Sequence, residues 1–212
     1  MSLNPEEVCQ KIYFEAQDFF GEARRPFNYG FKILYGPPII RAPVLFIGYQ
    51  PGGADDDHER KVNRGSDKGW PAICEYATES WILAKTMRKM FGRAFLEQCT
   101  GLNAIFLRAP SVDFYNRQLD QSSRTAIKEF CLPRVGRMVE AINPQKIVAI
   151  GFSTLELFGG GNPDLLHEKT GFALTKVGKI CERRAVATQH LSGARISNHN
   201  LSRIAKRVVE FE

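Results

Sequence analysis

No two cysteines of this 212-residue chain form a CxxC pair; Cys9, Cys74, Cys99, Cys131 and Cys181 are scattered singly. An odd number of widely spaced cysteines argues against a disulfide framework and for a reduced, cytoplasmic protein. The four histidines show no HxxxH or comparable metal spacing. No run is apolar enough to span a bilayer, and the first twenty residues, MSLNPEEVCQKIYFEAQDFF, do not read as a signal peptide. Repeats and low-complexity tracts are lacking too. No GK[ST] follows any glycine-rich turn, so a Walker-type phosphate loop is excluded.

What remains is an ordinary globular composition, 43% hydrophobic and 25% charged. The length suits one domain spanning residues 1–212. Lys and Arg outnumber Asp and Glu by 29 to 23, a net charge of +6 that suits a polyanionic partner.

Four short apolar runs read as buried strands: VLFIGY (44–49), NAIFL (103–107), KIVAIG (146–151) and RAVATQ (184–189). They are rich in β-branched and aromatic residues, and two are apolar on both faces, as a covered parallel sheet requires. Helical patterns separate them. Leu83, Met87, Met90 and Phe91 lie on one helical face. SSRTAIKEFCLPRVGRMVEAI reads as helix, with Pro133 kinking it or starting a second piece. Leu201, Ile204, Ala205 and Val208 mark a last helix, capped by Ser197. The expected fold is α/β, three αβα layers around a four-stranded parallel sheet. GFALTKVGKICE (171–182) has the pattern of an extra hairpin.

Ligands of open α/β sheets sit beyond the carboxyl ends of the strands. The turns there are GYQPGG, RAPSVDFYN, GFST and HLSGARIS. In the first, Gly48, Gly52 and Gly53 let backbone approach a ligand, and Pro51 stiffens the loop. Gln50 offers a donor and an acceptor but no charge, so it can hold water and cannot act as a general base. In the last, His190 can donate to a developing oxyanion, while Ser192, Arg195 and Ser197 can bind phosphate oxygens.

Taken in order over roughly residues 40 to 205, GYQPGG, LNAIFLRAPS, FCLPRVGRMVEAINPQKIVAIGFSTLELFG and HLSG resemble the motifs of the uracil-DNA glycosylase superfamily. The resemblance implies a base-excision repair hydrolase. It would flip uracil or a related damaged base out of single- or double-stranded DNA and cleave its glycosidic bond. It implies that Gln50 replaces the Asp or Asn that orients the attacking water. Tyr49 replaces a second acidic residue. Asn103 would read the base edge, and His190 would stabilise the departing base. Ser192 would hold phosphate although Leu191 replaces the usual proline. Gly48, Tyr49, Pro51 and Gly52 would line the base pocket, with Trp70 or Tyr76 stacking on the base. Leu191 or Ile196 would wedge into the stack.

Gln before Pro also occurs in a covalent uracil-binding branch, but neither that branch's acid nor its basic insert is present. Asp55, Asp56 and Asp57 form a solvated acidic loop or supply the missing acid. His58, Arg60, Lys61 and Arg64 face solvent or DNA phosphate. The iron–sulfur branch needs about four thiolates. Here only Cys131 fits, Leu107 stands at another ligand position, and Cys9 has no early partner. The expectation is therefore no cofactor and no metal, with Cys131 a small buried hydrophobe. The protein should be a DNA-binding monomer away from membranes. Without a motif carboxylate, the alternative is a catalytically weak or inactive nucleic-acid-binding module on the same fold.

Overall fold

A computed structural model describes residues 4–21, 29–53, 69–192 and 196–211. The acidic run 55–57, the basic cluster from His58 to Arg64 and Arg195 lie outside the described residues.

Helix α1 (Pro5–Phe19) is set up by its first residues. The Asn4 side chain accepts from the Glu6 amide, and Pro5 sits where a missing N–H costs nothing. Strand β1 (Leu45–Gly48) follows. Among the described residues, three helices then lead to the next strand: α2 (Glu75–Thr78), α3 (Ile82–Phe91) and α4 (Arg93–Leu96). After β2 (Thr100–Asn103) come α5 (Val112–Gln118) and the long α6 (Gln121–Ile142). Asp120 caps α6 by accepting from the Ser123 amide at 2.7 Å. Pro133 lies inside α6, which runs as one helix rather than two. Its buried residues Ile127, Cys131, Val135, Met138 and Ile142 form the stripe that holds it to the sheet. The remainder is β3 (Ile147–Ile150), α7 (Phe152–Glu156), β4 (Gly161–Pro163), β5 (Thr175–Ile180), β6 (Arg183–Thr188) and α8 (Asn198–Glu210). Among the described residues, no helix is long and apolar enough to cross a membrane.

The sheet has six strands in the order β2-β1-β3-β6-β5-β4, not the expected four. The first four are parallel; β5 and β4 extend the β6 edge antiparallel. The segment 171–182, expected as an extra hairpin, supplies one strand, β5, which turns back to pair with β6. Cys181 and Glu182 form its two-residue turn at φ +50° and +62°, the left-handed geometry such hairpins demand.

Alternate strand residues feed two cores. Leu45, Ile47, Ile147, Ala149, Ala185 and Ala187 join α1 and α6 on one face. Phe46, Val148, Ile150 and Val186 join residues of α2, α3, α4 and α8 on the other. Helices on both faces of a mostly parallel sheet make a mixed α/β layered fold, compatible with an αβα arrangement.

The second strand differs most from expectation. The structure ends β2 at Asn103, where the sequence suggests it begins. The apolar run 104–107 is buried without being a regular strand, and its backbone is still paired. Ala104 and Ile105 donate to Gly48 O and Tyr49 O, each at 2.8 Å, and Phe106 O accepts from Lys32 N at 2.8 Å. Burial alone does not distinguish such a satisfied loop from a strand.

Close packing at Gly101 gives a stability test. A Cβ there would lie 2.6 Å from the Tyr76 ring and 3.1 Å from Tyr35 Cβ. Both rings belong to the wall of the site, and Tyr76 is 1% exposed. Gly101→Ala should destabilise the fold by about 1–3 kcal/mol, as overpacking does. The denaturant midpoint should fall with little change in slope; an unchanged midpoint would mean that the Tyr76 wall yields freely.

Candidate functional site

Between β1 and its two neighbours the chain order reverses, β2 lying on one side and β3 on the other. Such a switch point leaves a crevice at the carboxyl ends of the strands. A cavity of about 1090 Å³ opens there. Its lining includes Gly48, Tyr49, Gln50 and Gly52 after β1, Asn103 at the end of β2, Ser153 after β3, and His190 and Ser192 after β6. Residues from four separate turns thus share one cleft.

The GYQPGG turn is fastened to the segment after β2. Besides the two bonds from Ala104 and Ile105, Ala109 N donates to Pro51 O at 3.2 Å. The Gln50 side chain closes the row, its Nε2 donating to Ala109 O at 3.4 Å. Gln50 Oε1 is buried and has no partner. Asn103 follows the same pattern: Nδ2 donates to Lys32 O at 3.1 Å, and the buried Oδ1 has none. Backbone carbonyls only accept, so both amides are fixed with their oxygens unclaimed. A Cβ at Gly48 would lie 3.3 Å from Asn103 Oδ1, so a larger residue there would press on this amide.

His190 lies on the opposite wall. Its ring packs over Gly151, where φ is +90° and an added Cβ would come 3.4 Å from Cδ2. Nδ1 lies 3.0 Å from Ser192 Oγ. His190 is exposed at the mouth, yet the dense surroundings still favour the uncharged ring, and burial lowers its pKa below the usual 6.5. With the Ser192 hydroxyl donating to Nδ1, the neutral ring presents Nε2–H as a donor.

The aromatic wall is larger than the sequence indicates. Trp70 lines the cavity and is 6% exposed, packed into the α1 side of the core. Tyr76 also lines it, stacked with Trp81 at 6.0 Å between ring centres. Tyr35 completes the group, 5.2 Å from Tyr76 and 5.3 Å from Trp81. Burial pushes the Tyr35 phenol up to about 12, with the Asn103 amide pulling the other way. No local motif in the sequence distinguishes Tyr35 and Trp81 from core aromatics.

Two carboxylates line the cavity, Glu75 and Glu79. Both Glu75 oxygens accept from Lys32 Nζ, at 2.7 and 2.5 Å. Arg108, also unmarked by sequence, lines the same cavity and is 5% exposed.

Other expectations change. Leu191 is 5% exposed and packs in the α8-side core, so it is not a free wedge; Ile196 packs partly buried against that core. Ser197 is exposed, and its hydroxyl caps α8 by accepting from Asn200 N at 3.2 Å. Pro51 is buried behind the turn and is absent from the cavity lining. Cys131 is fully buried, its sulfur accepting from Phe106 N at 3.4 Å. Among the described residues, no three His, Cys, Asp or Glu side chains are grouped to hold a metal ion.

Compared with protein-family models and with curated proteins, the sequence matches none. The class defined by fold and site is therefore structural: a mixed α/β protein with a polar, aromatic-walled cleft at its sheet switch point.

Proposed function

We propose that the protein is a divergent uracil-DNA glycosylase-like hydrolase that takes a flipped base into this cleft and excises it slowly. The supporting observation is that Gln50, Asn103 and His190, from three distant turns, line one cavity. Trp81, partly exposed and backed by the buried rings of Tyr35 and Tyr76, offers a ring face for a base to stack on. Flipping costs a few kcal/mol, least for a damaged or mispaired base.

In this reading the C1′–N bond breaks and its electron pair leaves with the base. His190 Nε2–H donates to the base oxygen where the charge collects. A water held by Gln50 Oε1 adds to C1′, and its proton passes to solvent because the amide cannot take it. The net charge of +6 favours the phosphates of DNA.

A specific observation favours the second reading, a binding module without catalysis. No carboxylate occupies the Gln50 position, and Glu75 in the cavity is held by Lys32. Incubating the protein with uracil-containing single- and double-stranded oligonucleotides separates the two readings. Slow release of free uracil is expected, with binding that weakens steeply as salt rises. Binding without release over long incubation would favour the module; neither binding nor release would end both readings.

A further inference from the structure

The excision reading leaves one strong group in the cleft without a task. Arg108 is 5% exposed, and its Nε is buried without an acceptor. Its backbone is fixed, N donating to Gly30 O at 3.0 Å. The guanidinium lies against Gly53, whose missing Cβ would be 3.6 Å from Nε and 3.7 Å from Cζ. Its charge is felt by the Tyr35 phenol. Among the described residues Arg108 has no ion-pair partner, and the nearby acid Glu75 is taken by Lys32. A buried guanidinium without an anion is costly, so its surroundings are built for an incoming one.

The geometry points to a ligand that carries an oxyanion for Arg108 and a ring N–H for Asn103 Oδ1. A guanidinium pairs best with a two-oxygen anion, carboxylate or phosphate. Asn103 Oδ1 can only accept, and one N–H of the same amide is already donated to Lys32 O, which holds the group in place. Free uracil and deoxyuridine offer a ring N–H but no charge, which leaves Arg108 unanswered. An oxyanion-bearing nucleobase or nucleotide answers both groups. That the ring is a nucleobase rests on the proposed function; the anion preference rests on the cavity alone.

Trp70 and Trp81 are the only tryptophans in the chain, and both line the cavity, so intrinsic fluorescence reports its occupancy. Two matched pairs serve as probes: uracil against 5-carboxyuracil, and deoxyuridine against its 5′-monophosphate. In at least one pair the anionic member should bind about ten- to hundredfold tighter. A gap in the first pair puts the anion on the base; a gap in the second puts it on the sugar. Arg108→Gln should close the gap while the neutral member binds as before, and Arg108→Lys should keep part of it. Equal binding within both pairs, no binding by any probe, or a gap that survives Arg108→Gln overturns the inference. The wild-type comparison stands even if the variants do not fold. Binding requires no cleavage, so anion preference without uracil release overturns excision and keeps this inference; release without preference does the reverse.

Discussion

His190→Ala is expected to slow uracil release by ~10²–10³-fold, the usual worth of a single oxyanion donor. The ring is held from two sides. Gly151 supplies the floor it packs on, and Ser192 Oγ lies 3.0 Å from Nδ1. That contact accommodates the tautomer with Nε2–H, in which Ser192 Oγ donates to Nδ1. Ser192→Ala should therefore cost less, ~3–10-fold, because it loosens the tautomer without removing the donor. Burial lowers the His190 pKa, so the ring is neutral at and above pH 7. The rate should then be level from about pH 7 upward. The same shift means the folded state prefers the neutral ring. Its contribution to stability is complete above the usual value of 6.5 and is lost as pH falls through the lowered folded value. A rate that declines as pH rises through 6 to 7 would show that the cation is needed, contrary to this account. If wild-type release is too slow to follow, the His190 effect is read in a Gln50→Asp background.

The parts of this site that sequence reveals are those whose role is written in local order. Gly48 and Gln50 follow an apolar run, and His190 follows another; each run is a strand within a residue or two of its expected bounds. Strand ends in a parallel sheet then bring them together without further information. The sequence singles out Asn103 as a residue but not its position, since it closes β2 rather than opening it. The apolar segment after it owes its burial to bonds with Gly48, Tyr49 and Lys32, which lie far off in sequence. Strand β4, and the joining of β5 to the main sheet, are hidden for a related reason. Gly161–Pro163 is exposed throughout, and TKVGKI carries two lysines, so neither shows the continuous apolar run of a central strand. Arg108 and Tyr35 are legible only in three dimensions. An arginine in a turn reads as a surface residue until the surrounding loops are seen to bury it.

Gln50→Asp is expected to raise uracil release by ~10²–10⁴-fold, the range that general-base help contributes. The present side chain is pinned: Nε2 donates to Ala109 O at 3.4 Å, and Oε1 is the one group left for water. An amide oxygen can accept a hydrogen bond from that water and so aim it. It cannot remove the proton or balance the positive charge that gathers on the sugar as the bond breaks. A carboxylate does both. Aspartate is one methylene shorter than glutamine, so it withdraws from Ala109 O rather than facing that carbonyl with like partial charge. Arg108 lines the same cavity and favours the ionised form of a new acid there. Gln50→Glu keeps the length and brings the carboxylate against Ala109 O, and should gain less. If the wild type is already fast and Gln50→Asp adds nothing, the working acid lies elsewhere. Glu75, Glu79 and the Asp55–Asp57 run are then the residues to substitute. If Gln50→Asp folds and binds DNA as the wild type does but neither releases uracil, the cleft does not perform hydrolysis, and a binding module is what the chain encodes.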